Sequence, residues 1–200
     1  MGACKKIWLS LVFVFLFSEG FSQNDSIFDS RHLSSLQLYS AGSRKLYHLP
    51  ALNTGKPFSL FVFLSPECPL SKDYLPLLNE LYKKYAEHIS FYGVIPGKAY
   101  SAAVVNRFAR DYRVQYPLLI DSSKALTGYL LASVTPEVIL LDNESNLVYK
   151  GAVNDLMMAL GKRRVQVSTH FLEDAITASI AGKPVSIKRT KAVGCKVNDY

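Results

Sequence analysis

The stretch Ser59-Leu60-Phe61-Val62-Phe63-Leu64 constrains the fold more than any other segment. After Ser59 it is an unbroken apolar run of strand length, with Gly55 and Pro57 before it and Pro66 behind it. A strand with one wet face alternates polar and apolar side chains. A run without alternation belongs to a strand covered on both faces, as a central strand of an α/β sheet is. The rest of the chain must then supply two covering layers.

The periodicity downstream meets that demand. Leu75, Leu78, Leu81, Tyr82 and Tyr85 share one face of a helix reaching about Glu87. Ile89 to Ile95 is a second strand, stopped by Pro96-Gly97. A helix is expected from Ala99 to Tyr112 with Val104, Val105 and Phe108 inward, then a strand from Tyr116 to Ile120 and a short helix from Lys124 to Leu131. Glu137–Leu141 and Leu147–Lys150 read as paired strands around the turn residues Asn143 to Asn146. Thr169 to Ala181 is the last helix, ended by Gly182-Lys183-Pro184. Upstream, Leu36–Tyr39 and Lys45–His48 predict a hairpin, and Pro76 predicts a kink in the first long helix. The expected fold class is α/β, a central mixed sheet with helices on both faces.

Composition fits one such domain. The chain has 200 residues, of which 49% are hydrophobic. That excludes disorder and fibrous repeats, and a chain of this length folds without needing disulfides. The first residues stand apart. Lys5 and Lys6 precede the apolar run Ile7 to Phe17, and small residues follow at Gly20 and Ser22. This reads as a secretory signal cut after Ser22, too short to span a bilayer, and Cys4 leaves with it. Losing two cations and Glu19 changes the net charge from +7 to +6. The organisation expected is a signal at 1–22, one domain at 24–182, and a basic tail at 183–200 carrying Cys195. The expected location is periplasmic or secreted, with no stable membrane insertion after cleavage. The tail holds Lys183, Lys188, Arg189, Lys191 and Lys196 against Asp199, and is read as a solvated tail rather than a site for an anionic partner. No zinc-finger spacing, RNA-binding sheet, nucleotide loop or hydrolase elbow is present, so neither a nucleic-acid partner nor a metal or organic cofactor is expected.

Two cysteines then remain, Cys68 and Cys195, in an oxidising compartment. Their separation leaves open a disulfide, a redox pair or two free thiols. Cys68 sits where the central strand gives way to the first long helix, with Pro69 in a first-turn position. Unpaired N–H groups at such an end favour a thiolate, and neighbouring Glu67 opposes it. A small buried hydrophobe is the plainer alternative for Cys68. Thr135-Pro136, a β-branched residue and proline ahead of a strand, is a candidate cis bond.

Together the segments Phe61 to Pro69, Val134 to Asp142 and Val148 to Asp155 resemble the thioredoxin superfamily. More narrowly, they resemble bacterial redoxin-domain proteins related to alkyl hydroperoxide reductase and thiol-specific antioxidant. A secreted branch carries Cys-Pro-Leu/Ile-Ser and a late Ala-Val-Gly-Cys, here Cys68-Pro69-Leu70-Ser71 and Ala192-Val193-Gly194-Cys195. The resemblance implies a thioredoxin-like fold with Thr135-Pro136 as a cis-proline loop facing Cys68. It implies Cys68 as reactive thiol, Cys195 as resolving cysteine, Ser65 at a site hydroxyl position, and Thr135, Pro136 and Pro69 against the substrate. The partner would be a thiol or disulfide protein, or a peroxide. Two departures matter. Ser65 stands where a Cys-x-x-Cys pair has its first cysteine, and Phe61 stands where peroxiredoxins have proline. Four readings therefore compete: a thiol oxidoreductase, a binding module with a structural Cys68–Cys195 disulfide, a copper-handling protein, and a redox-inactive interaction domain. His32, His48, His88 and His170 read as surface or capping residues, and Tyr74 as core packing with a supporting role at the site as the alternative. Arg163-Arg164 suits an acidic partner or a loop anchor equally.

Overall fold

A computed structural model of the chain describes residues 28–43, 45–49 and 55–197. The expected signal at 1–22 and the end of the tail at 198–200 lie outside these residues.

The chain opens with a short helix α1 (Ser30–Ser35), capped by Asp29, whose side chain accepts from the Arg31 N–H at 2.8 Å. Strands β1 (Leu38–Ser40) and β2 (Leu46–Tyr47) form the expected antiparallel hairpin in shortened form. Then come β3 (Phe58–Phe63), α2 (Pro69–Tyr85), β4 (Ile89–Pro96), α3 (Ala102–Asp111), β5 (Leu118–Asp121) and α4 (Ala125–Tyr129). The second half holds β6 (Val134–Thr135), β7 (Glu137–Asp142), β8 (Leu147–Gly151), β9 (Met157–Ala159), β10 (Lys162–Arg163), α5 (Phe171–Ile180) and β11 (Cys195–Lys196).

Seven strands make one mixed sheet in the order β2-β1-β5-β4-β3-β7-β8. β3 lies inside it, parallel to β4 and antiparallel to β7. Its side chains divide by the pleat. Leu60, Val62 and Leu64 enter a layer with Leu75 and Leu78 of α2, Val105 and Phe108 of α3, and Leu172 and Ile176 of α5. Phe61 and Phe63 enter the opposite layer with Leu33 of α1 and Leu126 of α4. The unbroken apolar run is thus covered on both faces. Gly93 of β4 sits where a larger residue has no room: a Cβ there would meet the Leu118 side chain and come within 3.2 Å of the Tyr116 ring.

The starts of α3, α4 and α5 differ from the periodic reading by one to three residues. α3 begins at Ala102 because the Ser101 side chain caps it by accepting from the Val104 N–H. α2 passes through Pro76 without ending. That proline is exposed, and without an N–H it gives the Lys72 carbonyl no intrahelical donor. The hairpin β9–β10, α1 and the β6–β11 pair carry too few residues to show a period. After α5 the tail returns along β8, where the Lys150 N–H donates to the Lys188 carbonyl at 2.9 Å and the Thr190 N–H to the Lys150 carbonyl at 3.0 Å.

Asp155 ties the loop between β8 and α5. Its carboxylate accepts from the Ser168 hydroxyl and from the N–H groups of Ser168 at 2.9 Å and Thr169 at 3.1 Å, and it meets Arg164 at 3.4 Å. The Ser168 hydroxyl is the largest cause of a pKa held down to about 2, helped by the two N–H groups and Arg164 and opposed by desolvation. A carboxyl with a lowered folded-state pKa stabilises its surroundings above its ordinary value near 3.8 and loses that contribution as pH falls towards 2. The Ser168 and Thr169 amide resonances should therefore titrate with a midpoint near pH 2, and no such midpoint should remain in Asp155→Asn. For the core, Gly93→Ala should lower stability by about 1–3 kcal/mol with an unchanged denaturant slope, measured by urea unfolding.

Candidate active site

The site forms where β3 stops and α2 starts. β3 ends at Phe63, and the chain must turn before α2 can begin. Pro69 occupies the first turn, which leaves Cys68 as the N-cap in extended conformation, with φ −74° and ψ 116°. The Cys68 N–H donates to the Ser65 carbonyl at 3.1 Å, closing that turn. Ser71 stabilises it from the helix side, its hydroxyl oxygen accepting the Ser65 N–H at 3.1 Å.

Opposite stands the loop leading into β7. The Thr135-Pro136 peptide is cis, and the Thr135 carbonyl oxygen lies 3.0 Å from Cys68 Sγ. A second strand comes from the far end of the chain. β11 pairs antiparallel with β6, Cys195 opposite Thr135 and Lys196 opposite Val134, and the Val197 N–H donates to the Ser133 carbonyl at 3.0 Å. This register brings Cys195 to Cys68. The two form a disulfide across 127 residues, with their Cα atoms 6.0 Å apart. Gly194 makes the approach possible, since a Cβ there would lie 2.7 Å from the Thr135 carbonyl carbon. Cys68 is only 2% exposed, whereas Cys195 is half-buried.

A cleft of about 290 Å³ lies at this junction, its lining including Ser65, Glu67, Tyr100, Thr135, Lys196 and Val197, with Glu67 and Lys196 the chain neighbours of the two cysteines. The Tyr100 hydroxyl stands 3.1 Å from Ser65 Oγ and donates to Glu67 Oε2 at 3.3 Å, so three polar side chains form a chain along its rim. Behind the loop, Glu137 and Lys150 form a pair with N···O at 3.9 Å and little exposure of either side chain. Glu137 accepts the Ser133 N–H at 2.7 Å, and Lys150 donates to the Leu130 and Leu131 carbonyls at 3.0 and 2.6 Å. Burial pushes the Lys150 pKa down, against the pull of the Glu137 charge.

All the residues singled out by sequence, Cys68, Cys195, Ser65, Thr135, Pro136 and Pro69, gather within this junction. Tyr74 is placed in the core, its hydroxyl donating to Asn154 at 2.7 Å, with burial and then the Asp155 charge pushing its pKa up to about 12. Arg164 is a loop anchor, tied to Asp155. The four histidines are exposed. Among the described residues no three His, Cys, Asp or Glu side chains cluster as a metal set. Tyr100 was not singled out, and Gly194 and Lys196 were named only within the late motif and the basic tail. Tyr100 read as part of a helix, and nothing in the tail's composition marks a two-residue strand.

Residues 35–150, more than half of the chain, match the AhpC/TSA family. The chain belongs to that family. Its fold is also that of known structures. A hypothetical protein from Sinorhizobium meliloti aligns at 26% identity over 81% of this chain and 89% of its own, with TM-score 0.71. An uncharacterized conserved protein from Geobacillus kaustophilus aligns at 21% identity over 82% and 88%, with TM-score 0.73. A secreted disulfide oxidoreductase from Mycobacterium tuberculosis aligns at 13% identity over 60% and 84%, with TM-score 0.51. No curated protein matches the chain. The AhpC/TSA match and these neighbours give a thioredoxin-like redoxin domain of the thiol-based redox type. The match ends before the β9–β10 hairpin and the tail, so Cys195 lies outside it.

Gly194→Ala should push β11 off β6 and disfavour the disulfide. The Cys68–Cys195 pair should then titrate at a higher, more oxidising potential than in the parent protein, measured by alkylation across a series of redox buffers. An unchanged potential would separate the disulfide from the strand pairing.

Proposed function

We propose that the protein is an exported thiol–disulfide oxidoreductase that cycles between the Cys68–Cys195 disulfide and the dithiol. The observation that carries this reading is the bond itself, placed at the N-cap of α2, against the cis-proline loop and beside an open cleft.

Burial decides the direction of attack. Cys68 is 2% exposed and Cys195 is half-buried, so an incoming thiolate reaches Cys195 first, the reverse of the order of roles that the resemblance implies, in which Cys68 is the reactive thiol and Cys195 the resolving one. A bond forms between the partner sulfur and Cys195. The Cys68–Cys195 bond breaks, and the electron pair leaves on Cys68. The unpaired N–H groups of the first turn of α2 accommodate that negative charge. A second partner thiol, deprotonated, then displaces Cys195. In sum the protein disulfide is reduced to two thiols and two partner thiols are oxidised to a disulfide; the reverse sequence reduces a partner.

Exchange is favoured over peroxide reduction. Phe61, at the position where peroxiredoxins carry proline, points into the core and stacks on Tyr92 at 5.5 Å, so it lines no pocket at Cys68. The Ser65 hydroxyl is engaged with Tyr100. The burial of Cys68 also favours a second reading, a structural clasp that fastens the tail of a binding module. Closing a loop of this size stabilises a fold by roughly 4–5 kcal/mol on the chain-entropy account.

Redox titration of the processed protein separates the two. On the exchange reading the pair titrates at a potential typical of oxidoreductases, and Cys68→Ser and Cys195→Ser each lose turnover by at least 100-fold in a disulfide-reductase assay (roughly the loss of a nucleophile). A pair reduced only below about −300 mV, or full turnover by Cys68→Ser, overturns it.

A further inference from the structure

We propose that the β9–β10 hairpin is a peripheral anchor for an anionic phospholipid surface. Its tip is apolar and unpartnered: Met158 is 60% exposed, Leu160 68%, and Val165, just past β10, 98%. Large side chains at such exposure within eight residues are unusual for a free surface. Gly161, at φ +75°, turns the tip tightly. Lys162 and Arg163 follow at once, both exposed, and neither is in an ion pair among the described residues. From residue 156 to residue 167 there is no Asp or Glu. The tip therefore joins apolar side chains to an excess of positive charge, with Asp73 of α2 lining the same cleft as Arg163 and no acidic residue on the hairpin itself.

The hairpin is held, not loose. The Arg164 N–H donates to the Leu156 carbonyl at 2.7 Å, and Asp155 ties Ser168 and Thr169 behind it. Leu156 and Met157 pack toward the core, which leaves Met158 and Leu160 outward. A second cleft, of about 240 Å³, separates the hairpin from Leu70, Asp73 and Tyr74 of α2. The hairpin thus flanks the helix that begins at Cys68.

A bilayer suits this tip better than a protein face. A stable protein interface needs about 800 Å² from each partner, more than three side chains on a narrow turn offer. A bilayer accepts a few apolar side chains at the acyl boundary while cations rest among the headgroups. No helix among the described residues is long and apolar enough to cross a membrane, so the protein would lie on the surface.

Co-sedimentation with vesicles tests this, using the processed full-length protein. Partition is expected to vesicles of phosphatidylglycerol and phosphatidylcholine in equal parts, and not to phosphatidylcholine alone. With about 1 kcal/mol for each cation near such a surface, the Lys162→Ala/Arg163→Ala double variant should bind about 25-fold more weakly. Leu160→Asp should bind at least as weakly, with unchanged thermal unfolding and an unchanged rate of exchange with a small thiol. The absence of partition overturns the proposal. So does partition that survives both variants, which would assign it to the basic tail. A dimer or a protein complex that Leu160→Asp abolishes, with no vesicle binding, also overturns it.

Discussion

Burial of β3 on both faces sets the geometry of everything that follows. Once Leu60, Val62 and Leu64 are committed to one layer and Phe61 and Phe63 to the other, helices must cover both sides of the sheet. The chain leaves β3 in the middle of the sheet and has to climb directly into a covering helix. Pro66 and Pro69 restrict how it does so. The result is a cysteine at a helix N-terminus, at the end of a central strand. The neighbouring strand β7 runs antiparallel to β3, with Phe63 opposite Glu137, and this pairing brings the loop before β7 to the same end of the sheet. The junction at Cys68 is therefore a consequence of sheet packing and strand order.

The tail completes that junction through backbone more than through side chains. Its contacts there include a two-residue strand pair, a hydrogen bond from the Val197 N–H, one from the Thr135 hydroxyl to the Cys195 carbonyl at 3.5 Å, and the disulfide. Two-residue pairs are marginal on their own in water. The covalent bond and the pairing therefore depend on each other. The bond keeps β11 at the edge of β6, and the pairing in turn holds Cys195 at bonding distance from Cys68. Gly194 is the residue that lets both occur, because the Thr135 carbonyl fills the space a side chain would take.

What was readable in the sequence follows from this division. β3, α2, β4 and α3 have enough residues to display a period, and their core positions follow from it. The cap-like position of Cys68 was readable because proline marks a first turn. Cys195 was readable as the partner of Cys68 once Cys4 was set aside, but whether the bond closes was not, since a separation of 127 residues leaves that to the fold. β6, β9, β10 and β11 span two or three residues each, too short to alternate visibly. Tyr100 was hidden for a different reason. It lies next to a helix and reads as part of it, but Ser101 caps α3 and leaves Tyr100 in the loop, facing Ser65. Pro76 marked a break in the pattern, and α2 runs through it as one helix from Pro69 to Tyr85.

The Glu137–Lys150 pair bears on what happens to the site when the tail moves. A buried ion pair adds little net stability, because desolvation of two charges offsets their attraction. Its other contacts matter more. Glu137 accepts the Ser133 N–H, and Lys150 donates to the Leu130 and Leu131 carbonyls, so the segment from α4 to the cis-proline is fastened from behind. None of these bonds involves Cys195 or β11. Opening the disulfide would therefore remove none of the bonds that fasten this segment from behind.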